Sequence, residues 1–208
     1  MAPIERARRR TASDKVSAAL LDAAETVLDR HGAGGVTVRA VAREADVAPM
    51  GVYNRFASKD GLLAALAVRA FDQLATAIDV PTDLGPQDRL MRACRGYRDF
   101  ALAHPARYAL IFAAGSPAAD PSSPATTRGR EVFAGLVDMM AAVAPDGVVD
   151  AAEAAQAIWN AMHGAVTIHM AGVIQTSDPA ANYEQTIRLV INGLRAQSVG
   201  QTGTRPAT

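Results

Sequence analysis

The 208-residue sequence predicts an all-α fold of about nine helices, and three observations carry that expectation. Apolar residues recur at i, i+3, i+4 and i+7 in successive stretches along the chain, the spacing of one helix face. Alternation with period two never persists long enough to build a strand. Half of the residues are hydrophobic, enough to bury a sizeable core, and the periodic stretches stop at glycine or proline.

The first helix is expected from about Asp14 to His31, burying Val16, Leu20, Ala23, Ala24, Val27 and His31 and ending at Gly32-Ala33-Gly34-Gly35. Ahead of it Arg6, Arg8, Arg9 and Arg10 form a basic run suited to phosphates or a minor groove, and equally consistent with a solvated disordered tail. Residues 1–12 are assigned to that disordered arm. In the second helix Val38, Val41, Ala42 and Ala45 share a face, and Thr37 is placed as N-cap. The chain must then reverse within three or four residues, where Asp46 tolerates a left-handed backbone and Val47 is expected to plug the angle. Pro49 opens the third helix with its φ fixed, Val52 and Phe56 lie on its inner face, and Met50, Tyr53, Asn54 and Arg55 remain outside. Asparagine reads adenine, arginine reads guanine and a tyrosine hydroxyl reaches phosphate, so this face suits a DNA groove. The bland alternative is a hairpin within a larger helical protein, with Tyr53 and Arg55 as ordinary surface residues.

The fourth helix is expected to open at Ser58, with Asp60 near its positive end, and to run to about Ile78. A fifth spans Pro86 to Ala103, stopped by His104-Pro105, and a short sixth carries Tyr108, Leu110, Ile111 and Phe112. Gly115 to Thr127 holds three prolines and reads as a mobile surface loop, either a connector or a lid over a pocket. Helices from about Arg128 to Val143, Asp150 to Ile174 and Pro179 to Gln197 complete the chain, followed by a disordered tail over 198–208.

The pattern T-V-R-x-V-A-x-x-A-x-V-x-x-x-x-V-Y-x-x-F-x-S-K-x-x-L-L from Thr37 to Leu63, with the helix of about eighteen residues before it, resembles the DNA-binding domain of the tetracycline-repressor family. The resemblance spans roughly Asp14 to Leu66. It implies a DNA-binding domain over 13–58, a ligand-binding and dimerisation domain over 59–197, and a homodimer on a palindromic DNA operator, with a small-molecule effector. It further implies that Thr37 and Arg39 meet the DNA backbone, that Pro49, Met50, Gly51, Tyr53, Asn54 and Arg55 face the groove, and that Lys59 contacts phosphate. Two positions depart from the family pattern. Asp46 stands where glycine is usual, and Ala48 replaces a serine or threonine, so the recognition helix lacks its side-chain N-cap at a cost of about 1 kcal/mol.

Trp159-Asn160-Ala161-Met162-His163-Gly164 resembles the tryptophan, histidine-glycine signature of one ligand-domain subgroup. A pocket for an apolar or amphipathic effector is expected from Met91, Cys94, Tyr97, Phe100, Tyr108, Phe112, Phe133, Val137, Met140, Trp159, Met162, His163 and Val166. Each residue taken singly reads equally well as core packing. On the eighth helix Ala154, Ala157, Ala161, Gly164, Ala165 and Ile168 permit close approach of another helix, and the ninth adds Tyr183, Ile187, Val190, Ile191 and Leu194. The residues alone leave open whether these faces finish the monomer's core; with the resemblance, a bundle of four helices across a two-fold axis is expected.

Twenty-one basic and twenty-one acidic residues balance, so non-specific DNA affinity cannot come from overall charge. One cysteine excludes an internal disulfide framework. No signal core is read at the N-terminus and no uninterrupted apolar run of about 20 residues, so a cytoplasmic protein without membrane contact is expected. The four histidines lack metal-ligand spacing, and no phosphate-cradling loop or catalytic carboxylate pair is recognisable, so no metal, cofactor or enzymatic activity is expected. The competing class is an enzyme or small-molecule carrier with an incidental hairpin; binding to DNA flanking the gene separates the two.

Overall fold

The computed structural model describes residues 3–143 and 150–201, with side chains over 15–143 and 150–196. Among the described residues there are nine α-helices and no strand: α1 (Pro3–Gly35), α2 (Val38–Glu44), α3 (Pro49–Phe56), α4 (Lys59–Ile78), α5 (Pro86–Ala103), α6 (Pro105–Phe112), α7 (Pro124–Val143), α8 (Ala151–Met170) and α9 (Pro179–Gln201). The expected disordered arm is helical from Pro3 and the expected tail is helical to Gln201, because α1 and α9 run on through them; the side chains of the N-terminal arginine run and of the residues from Ser198 lie outside the described residues.

These helices make two compact units, one of Met1–Asp72 and His104–Gly129, the other of Gln73–Ala103 and Arg130–Thr208. In the first, α2 and α6 pack on α1 and α3 packs on α2. Leu20, Ala24, Val27, Leu28, Val41, Val52, Leu62 and Leu66 are fully buried there. In the second, α5, α8 and α9 pack on one another, burying Leu90, Cys94, Ile158, Ile187 and Ile191. The chain crosses between units within α4, at the α5–α6 joint and within α7.

Local signals account for most boundaries. The helical run of α1 breaks at Gly32, whose φ of +66° favours a residue without a side chain. Ala103 ends α5 one residue before His104-Pro105. The Asp150 carboxylate caps α8 by accepting from the Ala152 and Glu153 amides, and Asp178 does the same for Ala180 and Ala181 at the start of α9.

Several expectations fail. Among the described side chains of α1 burial begins at Leu20, one turn beyond Val16, which is 53% exposed, and His31 is exposed too. α8 ends at Met170 rather than near Ile174: the Ala171 amide reaches the Thr167 and His169 carbonyls and Gly172 leaves the helix at φ +69°. α7 opens at Pro124, inside the segment read as a mobile loop, and the rest of that segment is tied down. Ser116 Oγ donates to the Ile111 carbonyl at 3.0 Å and accepts from the Ala118 amide. The Asp120 carboxylate accepts from the Ser122 amide and hydroxyl, while the Thr126 hydroxyl bonds back to the Ala118 and Asp120 carbonyls. By length and composition α4 is apolar enough to cross a membrane, but Arg69 and Asp72 interrupt its apolar run, in keeping with the sequence reading. Arg69 and Asp72 are ion-paired, and Leu62, Leu66, Ala67, Ala70, Phe71 and Leu74 are buried in the protein.

Candidate nucleic-acid interface and apolar ligand core

Three local devices build the helix-turn-helix. Thr37 Oγ1 accepts from the Ala40 amide at 3.1 Å, fixing the start of α2. Asp46 takes φ +51° and the Val47 amide donates to the Ala42 carbonyl at 2.9 Å, which closes the reversal. Pro49 then starts α3; Ala48, its N-cap, contributes no side-chain bond, as its methyl group requires. Val47 is 41% exposed and does not plug the angle; Val41, Ala42 and Val52, each 2% exposed or less, fill it.

This arrangement turns one face of α3 to solvent. Met50 is 64% and Tyr53 48% exposed, and Pro49, Gly51 and Asn54 are exposed beside them. Thr37, Arg39 and Lys59 are exposed as well, whereas Arg55 is only half-exposed and engaged with a neighbour. Lys59 sits in the first turn of α4, and its setting depends on Ser58, expected at the opening of this helix, and on Ala57 and Gly61, which sequence reasoning missed. The Ala57 amide donates to the Tyr53 carbonyl at 2.8 Å with Ala57 at φ +60°, a strained value for alanine. Ser58 Oγ accepts from the Gly61 amide at 3.0 Å. A Cβ on Gly61 would fall 2.1 Å from the Phe56 carbonyl oxygen, so glycine lets the end of α3 lie against the start of α4. The glycine in Ser58-Lys59-Asp60-Gly61 was the one sequence signal of this close approach.

The second unit holds Met91, Cys94, Tyr97, Phe133, Val137, Trp159, Met162, His163 and Val166, with Phe100 and Met140. A polar chain runs through this apolar group: Trp159 Nε1 donates to the Tyr97 hydroxyl at 3.3 Å, and that hydroxyl lies 3.2 Å from His163 Nδ1. Phe133 packs on Trp159 with centroids 5.8 Å apart. Burial lowers the His163 pKa, favouring the neutral ring that can accept from Tyr97. Burial also pushes the Cys94 thiol up to about 12, which makes it an inert core group. Tyr108 and Phe112, expected in the same pocket, belong instead to the first unit, where they meet edge-on at 4.9 Å and Phe112 meets Phe71 at 6.0 Å.

On another side of α8 a groove of about 300 Å³ opens between α5 and α9, lined by Arg98, Ala161, Gly164, Ala165, Ile168 and Tyr183 among others. Of the residues expected at the ligand only Val166 reaches its wall. Tyr183, Ile187 and Ile191, read either as finishing the monomer's core or as part of a two-fold bundle, are at most 3% exposed and pack within their own unit. Among the described residues of this unit, the large apolar ones left exposed are Ile168, Met170, Val173 and Leu189, at 37–61%.

Two family descriptions fit these features. Residues 20–66 match the one for bacterial regulatory proteins of the tetR family, and residues 90–190 match the tetracyclin repressor-like C-terminal domain. An uncharacterised HTH-type transcriptional regulator of Mycobacterium tuberculosis, Rv0681, is 28% identical over 187 residues, 89% of this chain and 84% of that protein. The solved structure of Mycobacterium smegmatis BioQ is similar with a TM-score of 0.63 and 28% identity, covering 86% of this chain and 97% of that one. BioQ with its natural double-stranded DNA operator gives 0.61 and 27%, over 85% and 96%. With its helix-turn-helix and its C-terminal helices both matched, the chain belongs to the tetracycline-repressor family of bacterial transcriptional regulators, DNA-binding proteins with an N-terminal helix-turn-helix.

Proposed function

We propose that this chain is a ligand-responsive repressor that binds a palindromic operator as a homodimer and is released by a small apolar or amphipathic effector. The observation carrying the DNA half of this reading is the outward face of α3, where Met50 and Tyr53 stay exposed beside Asn54 on a helix held by caps and turn geometry. Asn54 and Met50 serve as base readers, while Tyr53, Thr37, Arg39 and Lys59 meet phosphates. Arg55 joins them by leaving its present neighbour, and Pro49 and Gly51 keep the helix start close to the groove. The operator in the BioQ structure belongs to that protein; its relevance here is the shared family.

A lone helix-turn-helix reads one half-site, and a two-fold pair reads two about 34–36 Å apart, so the operator reading requires a dimer. Exposed Ile168 and Leu189 favour the outer faces of α8 and α9 for that contact. The effector site is assigned to the core around Tyr97, Trp159, Met162 and His163, whose hydrogen-bonded chain gives an apolar pocket one polar contact. α4, which carries Lys59 in its first turn and contributes to both units, is assigned as the element through which an effector alters the helix-turn-helix. The functional division is 13–58 for DNA and 59–197 for ligand and dimer, with the 1–12 arm adding phosphate contacts and the 198–208 tail outside both. The site of action is the cytoplasm, the role is regulatory rather than enzymatic, and a lid role for 115–127 is not part of the reading.

A gel-shift titration against DNA flanking the gene, with and without ligand co-purified and identified by mass spectrometry, tests the proposal. Binding that weakens with added ligand is expected. Failure to bind any sequence at low salt, in either condition, would end the repressor reading.

A further inference from the structure

Glu25 on α1 is a carboxylate only 8% exposed, in a position where an unpaired charge would be costly, and two arginines from different helices converge on it. Arg107 of α6 approaches at 2.9 Å and Arg69 of α4 at 3.3 Å. The same arginines reach out to exposed carboxylates on either side: Arg107 to Asp29 at 2.6 Å, and Arg69 to Asp22. Arg69 lies three residues before the chain leaves the first unit at Asp72, and Arg107 three residues after it returns at His104. At the third crossing, Arg128 of α7 bonds Asp72 of α4 at 2.6 Å. Charged clamps therefore stand at each crossing, and two of the three meet on one buried carboxylate.

We propose that Glu25 is a positioning residue, the hub of a charged clasp that fixes where α4 and α6 join α1 and thereby sets the geometry in which α3 is presented to DNA. Replacing its charge loosens those two attachments and leaves the cap and turn of the helix-turn-helix in place, because the ion pairs of the cluster join α1, α4 and α6. Geometry of this kind suits a signalling element better than an apolar contact does. A buried ion pair has one well-defined arrangement and is weak evidence for stability alone, since an apolar replacement often matches it. The DNA part of the inference rests on the operator reading above.

The test compares Glu25→Gln with Glu184→Gln, a control that breaks the Arg95 and Arg188 pairs within the second unit, away from the crossings. Operator affinity is measured by fluorescence anisotropy on the gene's flanking DNA, and amide hydrogen exchange is measured on the free protein. Glu25→Gln is expected to weaken operator binding at least tenfold and to speed exchange in α6 and the first half of α4, with α2 and α3 as in wild type. The control should change neither. An affinity within threefold of wild type, or exchange that quickens equally in α2 and α3, would overturn the clasp. Should wild type itself fail to bind DNA, the operator reading falls, and exchange alone decides: acceleration confined to α4 and α6 supports the clasp, an unchanged or uniform pattern refutes it. If Glu25→Gln does not fold, Arg69→Gln, which removes one partly exposed arm, is read by the same criteria.

Discussion

Lys59 and Tyr53 are exposed side chains on helices whose cores are closed without them, so their removal separates binding from folding. Tyr53→Ala and Lys59→Ala should each weaken operator binding roughly tenfold while leaving the melting temperature nearly unchanged, since a hydrogen bond to a charged group contributes about 1.5–3 kcal/mol. For Lys59→Ala the log–log dependence of affinity on salt should become shallower by about 0.9, the mark of one lost phosphate contact. An unaltered slope would place Lys59 free in the complex. Ala48 gives the opposite kind of handle. Its φ of −67° and ψ of 143° are those of an N-cap residue, yet its side chain offers no acceptor. Ala48→Ser should therefore stabilise the protein by about 1 kcal/mol, read in a denaturant melt; no gain would mean that the backbone there cannot orient the hydroxyl. The outer face with Tyr53 was legible from local spacing, whereas Lys59 and the missing cap at Ala48 were legible only through the family resemblance. Val47 was not, because whether a turn residue is covered depends on how closely two helices approach rather than on its neighbours in the chain.

At the level of elements, the reading succeeded where a boundary has a local chemical cause. Thr37, Pro49, the His104-Pro105 pair, Asp150 and Pro179 each mark a helix end that the structure keeps. It failed where periodicity continues past a boundary, as at the end of α8, or where it names a face but not what that face meets. On α9 the apolar stripe through Tyr183, Ile187 and Ile191 was legible, but its partner proved to be the chain's own second unit. Leu189, 61% exposed on the other side, is the large apolar residue facing solvent among the described residues of that helix. Leu189→Arg should consequently disrupt the proposed dimer without unfolding the monomer, since the buried stripe is untouched. Analytical ultracentrifugation at micromolar protein checks this. A dimer that persists would put the interface away from the outer face of α9 and leave Ile168 and Leu189 as isolated surface residues.

For the whole molecule, the limit of sequence reading lies in how the chain divides. Aromatic and methionine content pointed to one pocket, yet Tyr108 and Phe112 pack with Phe71 in the first unit while Tyr97, Phe133, Trp159 and His163 gather in the second. Composition records which side chains are apolar but not which of two cores receives them, and α6 returns to the first unit only through tertiary packing on α1. The surviving cluster in the second unit sharpens the test of coupling. Met162 is 4% exposed on α8, one turn from both Trp159 and Val166, while Ala161, Gly164, Ala165 and Ile168 line the groove on another side of that helix. Met162→Trp should fill the effector site from within, so that binding of the apo protein to its operator persists and release by effector is blunted. If Met162 only packs the core, the added volume costs about 1–3 kcal/mol, and stability and DNA binding fall together. A thermal melt and a gel shift with and without effector distinguish the two. A folded variant with undiminished effector release would move the effector site away from Trp159 and His163, leaving their hydrogen-bonded chain with Tyr97 as a device that holds α5 and α8 in register.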